Sequence, residues 1–313
     1  MRLVFCGTPQ FAVPTLQALL AAGHDLALVV TQPDRRVGRT RQLTAPPVKE
    51  IALAAGLAVT QPEKIRNNAD FRTHLEGIAP DAIVVVAYGR IIPRWMLDLP
   101  KLGCVNLHGS LLPKYRGAAP IQWAVAMGET VTGNTTMLLE EGLDTGPILL
   151  QQTIPIGPEQ TAADLFGALA AAGAPLVVET LAGLADGTIR PRAQDDSMAT
   201  VAPILDREDG RMDFVARTAT ELKNRWRGFQ PWPGAFTSLE GKKLIVHRME
   251  VVEPSRLGGE AGPGQVRVEG NRLFVACAGN TWIELIETQL EGKKRMAAAE
   301  FLRGTTLAAA RLG

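Results

Sequence analysis

The chain has 313 residues, 46% apolar and 21% charged, with a formal net charge of +1. That length accommodates two domains of ordinary size, and that composition excludes a disordered, fibrous or strongly polyionic protein. Three cysteines, Cys6, Cys104 and Cys277, lie far apart in apolar runs, which indicates neither a disulfide framework nor a metal cluster and suits a reducing compartment.

"MRLVFCGTPQF" breaks its apolar run at Gly7 and Pro9, unlike a signal peptide. No stretch reads as the roughly 20 apolar residues of a membrane helix. A soluble, cytoplasmic protein with no membrane partner is expected.

"RLVFCG" reads as a strand closed by glycine, and "PTLQALLAAG" places Leu16, Leu19 and Leu20 at helical spacing before Gly23. "DLALVVTQ" is a second strand, "PPVKEIALAAG" a helix and "LAVTQP" a strand. A further helix runs to "GIAP", and "DAIVVVAYG" is a strong central strand. Strands alternating with helices predict βαβ units and a mostly parallel, doubly wound, Rossmann-like sheet covered on both faces.

Next comes "CVNLHGSLLPKYRGAAP", residues 104–120. If the strand persists to His108, the side chains of Asn106 and His108 share one face while Leu107 points the other way. "APIQWAVAMGE" reads as a helix and "TGNTTMLLE" as a strand. "EEGLDTGP" is a glycine-punctuated loop before the strand "ILLQQTIPI". "TAADLFGALAAAGAPLVVETLAGLADG" is helical, with Gly173 and Pro175 expected to bend or interrupt it.

Residues 190–206 show little periodicity and read as a linker between a first domain, 1–189, and a second, 207–313. In the second, "VARTATELKNRWRGF" reads as a helix. "AFTSLEGKKLIVHRMEVV", the stretch from "GQVRVEGNRLFVACA" to "GKKRM", and "AAAEFLRG" read as short strands joined by glycine turns, with "EGNR" as a hairpin signal. A small β-barrel would close such strands, the oligonucleotide-binding (OB-like) barrel being one candidate. Residues 1–205 carry 16 Lys+Arg against 18 Asp+Glu, and the remainder 17 against 14. The second part is therefore mildly basic, which is compatible with a polyanionic partner.

Ligands of open parallel sheets bind beyond the carboxyl ends of the strands. Those ends supply Gly7-Thr8-Pro9, Tyr88-Gly89-Arg90, Asn106 to Gly109, and Asp144 from the "GLDTG" loop. An amide, an imidazole and a carboxylate suit acyl transfer to nitrogen without a covalent intermediate. Asn106 and His108 would donate to the oxyanion, and Asp144 would handle protons. Each residue alone has a plainer reading: His108 as a structural histidine, Asn106 as a turn cap, Asp144 as a solvated turn aspartate. "CGTPQFAVP" lacks the G-x-G-x-x-G of a dinucleotide site. His24, His74, His108 and His247 show no metal-ligand spacing, so no metal is expected. The loop "DRRVGRTRQL" offers Arg35, Arg36, Arg39 and Arg41, which could be solvated or could engage phosphates. Basic "KKL", "RWRGF" and "GKKR" follow in the second part. Trp226, Phe229 and Trp232 could stack on bases or build a packed corner.

"CGTPQFA", "TQPDRRVGR", "PPVK", "VVVAYGRIIP", "GCVNLHGSLLPKYRGAAPIQWA", "GLDTGPIL" and "FQPWPGAF" together resemble the methionyl-tRNA formyltransferase family, in order and through both domains. The resemblance implies a formyltransferase-type α/β domain followed by an OB-like barrel that contacts tRNA. It implies transfer of formyl from 10-formyltetrahydrofolate, as donor substrate, to the amino group of methionyl initiator tRNA, releasing tetrahydrofolate. By motif, Asn106, His108 and Asp144 match the catalytic trio, and Ser110, Leu111, Leu112 and Pro113 the folate-contacting segment. Arg39, with Arg41 beside it, matches the loop that engages the tRNA acceptor end. A monomer without an obligate protein partner is expected. Two departures stand out. Arg36 replaces a proline, and Asn134 and Thr136 occupy strand positions where apolar residues are more familiar. A small-amine formyltransferase, a formyltetrahydrofolate hydrolase and a non-catalytic RNA-binding relative remain the rival readings.

Overall fold

The structure is a computed structural model that describes residues 1–38, 41–253, 257, 261–305, 307 and 310–313. The chain divides into two compact units. The first comprises Met1–Pro120, Val131–Pro155 and Asp164–Pro203, the second Ile121–Thr130, Ile156–Ala163 and Ile204–Gly313.

In the first unit β1 (Arg2–Gly7) and β2 (Asp25–Val30) are followed by a separate small hairpin, β3 (Arg35–Val37) and β4 (Gln42–Thr44). Then come β5 (Val59–Thr60), β6 (Ala82–Val86), β7 (Cys104–His108), β8 (Val131–Leu138) and β9 (Ile148–Pro155). Seven of these strands form one sheet in the order β5-β2-β1-β6-β7-β8-β9. Pairing is parallel from β5 to β7 and antiparallel from β7 to β9. The chain steps outward from β1 to β2 and β5, then returns to β6 on the other side. The switch point therefore lies between β1 and β6, and the carboxyl ends of β1, β6 and β7 border one crevice.

Strand alternation feeds two cores. Leu3 and Phe5 of β1 point to the face covered by α1 (Val13–Ala21) and α2 (Pro47–Ala54), while Val4 and Cys6 point to the face covered by α3 (Ala69–Ile78) and α4 (Arg94–Leu97). Each fully buried Leu, Val or Phe stabilises the fold by about 1.5–3 kcal/mol. After α5 (Pro120–Ala126), α6 (Ala162–Asp186) lays Val177 and Leu181 on the first face.

α6 corrects two expectations. It is one unbroken 25-residue helix despite Pro175. The carbonyl that Pro175 leaves without a donor belongs to Ala171, an exposed residue open to water. By length and composition α6 is also apolar enough to cross a membrane, contrary to the sequence reading, yet half of its most apolar window is buried in the protein. Gly173 explains its close seat: a Cβ there would stand 2.6 Å from Leu107 Cδ2. The unusual polar residues of β8 face this helix. Asn134 donates to the Leu169 carbonyl at 2.8 Å, and the Thr136 and Thr180 hydroxyls are 2.8 Å apart. α6 thus partners the Asn134 N–H donor and the Thr136 hydroxyl, while Asn134 Oδ1 and the Thr132 hydroxyl are buried without a hydrogen-bond partner among the described residues.

In the second unit α7 (Ala219–Gly228) begins only at a Thr218/Glu221 capping box, four residues later than the sequence pattern suggested. The strands β10 (Phe236–Leu239), β11 (Lys242–Val252), β12 (Val266–Glu269), β13 (Arg272–Cys277) and β14 (Thr281–Leu290) form an antiparallel sheet ordered β10-β11-β14-β13-β12. The short β15 (Met296–Ala297) pairs with β14. "AAEFLR" is helix α8 (Ala298–Arg303), not strand. Its Ala, Glu, Leu and Arg are strong helix formers, and Ala298 and Phe301 enter the core. Residues 310–313 bridge the two sheet edges. Val266 donates to the Ala310 carbonyl at 3.0 Å, Leu312 to Gly264 at 2.8 Å, and Gly313 to Ser238 at 3.2 Å. This segment closes the sheet into a small barrel.

Candidate active site

β7 delivers the first two groups. Val105 and Leu107 enter the core under α1, α2 and α6, so Asn106 and His108 are driven to the opposite side with Cys104. Both are nearly buried, at 9% and 6% exposure. The Asn106 amide has no hydrogen-bond partner among the described residues, leaving its two N–H donors available at the crevice.

His108 is locked in orientation. Nε2 lies 2.9 Å from the Tyr115 carbonyl, so it carries a proton and donates. Tyr115 holds φ +62°, and its own N–H is fixed by the Thr200 hydroxyl at 2.8 Å. Nδ1 therefore faces Asp144, 3.6 Å from its Oδ2. With Nε2 committed, Nδ1 can donate only when the ring is an imidazolium.

Asp144 arrives from the loop between β8 and β9 with φ +53°, a left-handed backbone uncommon outside glycine, although aspartate adopts it more readily than most residues. Its Oδ2 accepts the Gly117 N–H at 2.8 Å. Gly117 has φ +129°, and a Cβ there would meet the Ala202 carbonyl oxygen at 2.5 Å, so only glycine fits. Thr8 and Gln32 both donate to the Tyr88 carbonyl at 3.1 Å, and Arg90 donates to Gln32, tying the ends of β1, β2 and β6 together beside the trio.

Of the segment assigned to folate, Ser110 and Leu112 point inward. The Ser110 hydroxyl donates to the Lys114 carbonyl at 2.7 Å, and Leu112 packs on Met137 and Ile148. Thr135 braces the turn, donating to the Ser110 carbonyl at 2.7 Å and accepting from Leu112 N at 3.1 Å. Leu111 and Pro113 keep partial exposure. Thr135, Gly117, Arg116 and Gln194 were not legible as site residues, since each partnership here spans 25 or more residues of sequence. Among the described residues no group of three His, Cys, Asp or Glu is placed to hold a metal ion.

Residues 1–181 match the formyl transferase family, and residues 204–306 match the formyl transferase C-terminal domain. The chain is 68% identical over 308 residues to the methionyl-tRNA formyltransferase of Acidobacterium capsulatum, covering 98% of each chain. It is 58% identical over 304 residues to that of Koribacter versatilis, covering 97% of this chain and 96% of the other. The chain belongs to the methionyl-tRNA formyltransferase family. A solved N-formyltransferase from Helicobacter canadensis, in complex with folinic acid and dTDP-3-aminofucose, shares the fold at 18% identity and TM-score 0.66 over 90% of this chain and 98% of that one.

In this formyltransferase the arginine-rich loop is the β3–β4 hairpin. Arg39 lies outside the described residues. Arg41 is exposed at the tip with φ +50°, and its carbonyl accepts from Arg36. The hairpin base is clamped: Lys49 donates to both Asp34 carboxylate oxygens at 2.8 Å and to Gln61 at 2.7 Å. The Lys49 hydrogen bond, then that from Gln61, holds the Asp34 carboxyl below the usual range.

In the second unit, "KKL" and "GKKR" meet. The Glu291 N–H donates to the Lys243 carbonyl at 2.8 Å, which joins the two segments; Lys242 and Lys293 are exposed, and Lys294 pairs with Glu300 at 3.1 Å. "RWRGF" is committed internally. Arg227 donates to the Gly157 and Gln160 carbonyls, and Arg225 stacks on Trp123 and Phe229. Phe229 is buried edge-on to Trp123, while Trp232 is 54% exposed.

Proposed function

We propose that this enzyme transfers the formyl group of 10-formyltetrahydrofolate to the free amino group of methionyl initiator tRNA, by direct amine attack with no covalent enzyme intermediate. Its family membership carries the reaction. The observation that carries the residue roles is the convergence of Asn106, His108 and Asp144 on one crevice beyond β7, with an unpartnered amide and no nucleophilic side chain among them.

The bound donor supplies an acyl carbon open to attack by an amine. Asn106 offers N–H donors where negative charge develops on the formyl oxygen. His108, fixed through Nε2, adds a second donor from Nδ1 in its protonated form. Asp144, held by Gly117, accepts the proton that the attacking amine loses and returns it to N10 of the donor as the bond from the formyl carbon to N10 breaks, releasing tetrahydrofolate. Leu111, Pro113 and the backbone of that turn are assigned to folate contact, with Ser110 and Leu112 shaping it from inside. Arg39 and Arg41 are assigned to the acceptor end of the tRNA, and Lys242 and Lys293 extend the basic surface on the second unit. A monomeric, cytoplasmic enzyme completes the proposal, its three buried unpaired thiols being in accord with a reducing compartment.

The deciding experiment measures transfer from labelled 10-formyltetrahydrofolate to methionyl initiator tRNA, methionyl elongator tRNA, a nucleotide-linked amino sugar and no acceptor. Selective labelling of the initiator is expected. Formate release without acceptor would make the protein a hydrolase, and labelling of an amino sugar alone would replace the named substrate.

A further inference from the structure

Residues 190–203 run back across the first unit's site as a strap. Arg192 and Ile148 exchange two backbone hydrogen bonds of 2.8 Å. Further along, Arg116 N donates to the Thr200 carbonyl at 2.8 Å, and Ala202 N donates to the Arg116 carbonyl at 2.7 Å. The loop carrying Asp144 and the loop carrying Gly117 are thus fastened to one strip of chain.

Gln194 sits between these anchors with every polar valence used. Its Nε2 donates to the carbonyls of Asp144 at 2.8 Å and Gly146 at 2.7 Å. Its Oε1 accepts from Arg116 Nε at 3.0 Å and Nη2 at 2.8 Å. A flipped amide would set N–H against guanidinium and oxygen against two carbonyls, so one orientation is possible. Arg116, 13% exposed, is itself held by Asp196 at 2.7 Å.

Asp144 needs such a bracket. A left-handed backbone at a non-glycine residue costs on the order of 1–3 kcal/mol, and residues 140–143 just before Asp144 are exposed. We propose that Gln194, oriented by Arg116, is a positioning residue for Asp144, fixing the strained main chain that aims the carboxylate at His108 and the Gly117 N–H. The proposal rests on the reading that Asp144 handles protons in formyl transfer.

Without the bracket the Asp144 peptide can relax, and misplacement of a reacting group by about 1 Å costs on the order of 10²-fold in rate. Gln194→Ala is therefore expected to lower kcat roughly 30- to 100-fold. KM for tRNA and the Kd of the formyl donor should stay within about threefold, because no ligand contact is removed. Gln194→Glu keeps a partner for Arg116 but turns oxygen toward two carbonyls, and is expected to be at least as slow as the alanine variant. Arg116→Lys keeps a charge opposite Asp196 but loses the two-pronged grip, and should fall roughly 5- to 10-fold in kcat alone. If Gln194→Ala melts below the assay temperature, the other two variants carry the comparison. Unchanged kcat in the Gln194 variants, or losses in kcat matched by equal weakening of donor and tRNA, would overturn the positioning role. Wild-type enzyme inactive on methionyl initiator tRNA would overturn the functional reading instead.

Discussion

His108 Nδ1 stands 3.6 Å from Asp144 Oδ2 while the opposite ring nitrogen is held by the Tyr115 carbonyl. One nitrogen thereby faces the carboxylate while the other fixes the orientation of the ring. Replacing His108 by Ala, or Asp144 by Asn, is expected to lower kcat about 10²- to 10⁴-fold. Binding of methionyl tRNA should survive, because neither side chain belongs to the basic surfaces. Single-turnover transfer and a filter-binding titration check the two halves, and near-normal turnover in both variants would sink the role assignment.

Asn106 gives a cleaner separation of activity from stability. Its amide makes no hydrogen bond within the described protein, so Asn106→Ala leaves no internal partner stranded. Loss of an oxyanion donor is expected to cost about 10²- to 10³-fold in kcat. Unfolding free energy should move by less than about 1 kcal/mol. Denaturant melts alongside kinetics decide the matter: a variant that loses stability in step with rate would mark Asn106 as structural.

Gly117 joins backbone strain to the site. With φ +129° and the Ala202 oxygen 2.5 Å from where a Cβ would stand, Gly117→Ala must displace either the strap or its own N–H. A cost of about 1–3 kcal/mol in stability is expected, together with lower kcat as the bond to Asp144 lengthens. Wild-type melting and turnover in this variant would show that the strap is free to move aside.

The three thiols are expected to be silent. Burial raises Cys6 well above its ordinary value, and burial raises Cys104 and Cys277 to about 12. At pH 8 all three are therefore neutral and enclosed, and the thiolate is the reactive form. A disulfide-exchange reagent should label none of them in the native protein and all three in guanidinium. Rapid labelling of the native protein would contradict the packing around β1, β7 and β13.

Much of the first unit was legible because its strands are apolar runs separated by glycine-capped helices, and because strand ends are where such sheets bind ligands. Asn106 and His108 could be placed on one face from spacing alone. Their partners could not. Gln194 reaches Asp144 across 50 residues and Arg116 across 78, through a stretch whose lack of periodicity reads only as linker. α8 was misread because "AAAEFLRG" follows a run of strands and has too few residues to show a helical period. An interruption or bend of α6 at Gly173 and Pro175 was expected because a sequence does not reveal that Ala171, whose carbonyl Pro175 leaves without a donor, is exposed.

The arginine hairpin and the lysine cluster make the partner testable through salt. Each phosphate neutralised by a cation releases condensed counterions, so the logarithm of affinity falls linearly with the logarithm of salt concentration. Arg41 is exposed at the tip of a hairpin whose base Lys49 and Asp34 hold, so its removal should not disturb the clamp. Arg41→Ala is expected to raise KM for tRNA several-fold, leave kcat nearly unchanged, and reduce the salt slope by about one. The paired change Lys242→Ala with Lys293→Ala should act the same way from the second unit, with a slope reduction of up to about two. An unchanged slope in either variant would remove that surface from the phosphate-binding face, and a fall in kcat at saturating tRNA would place it in the chemistry instead.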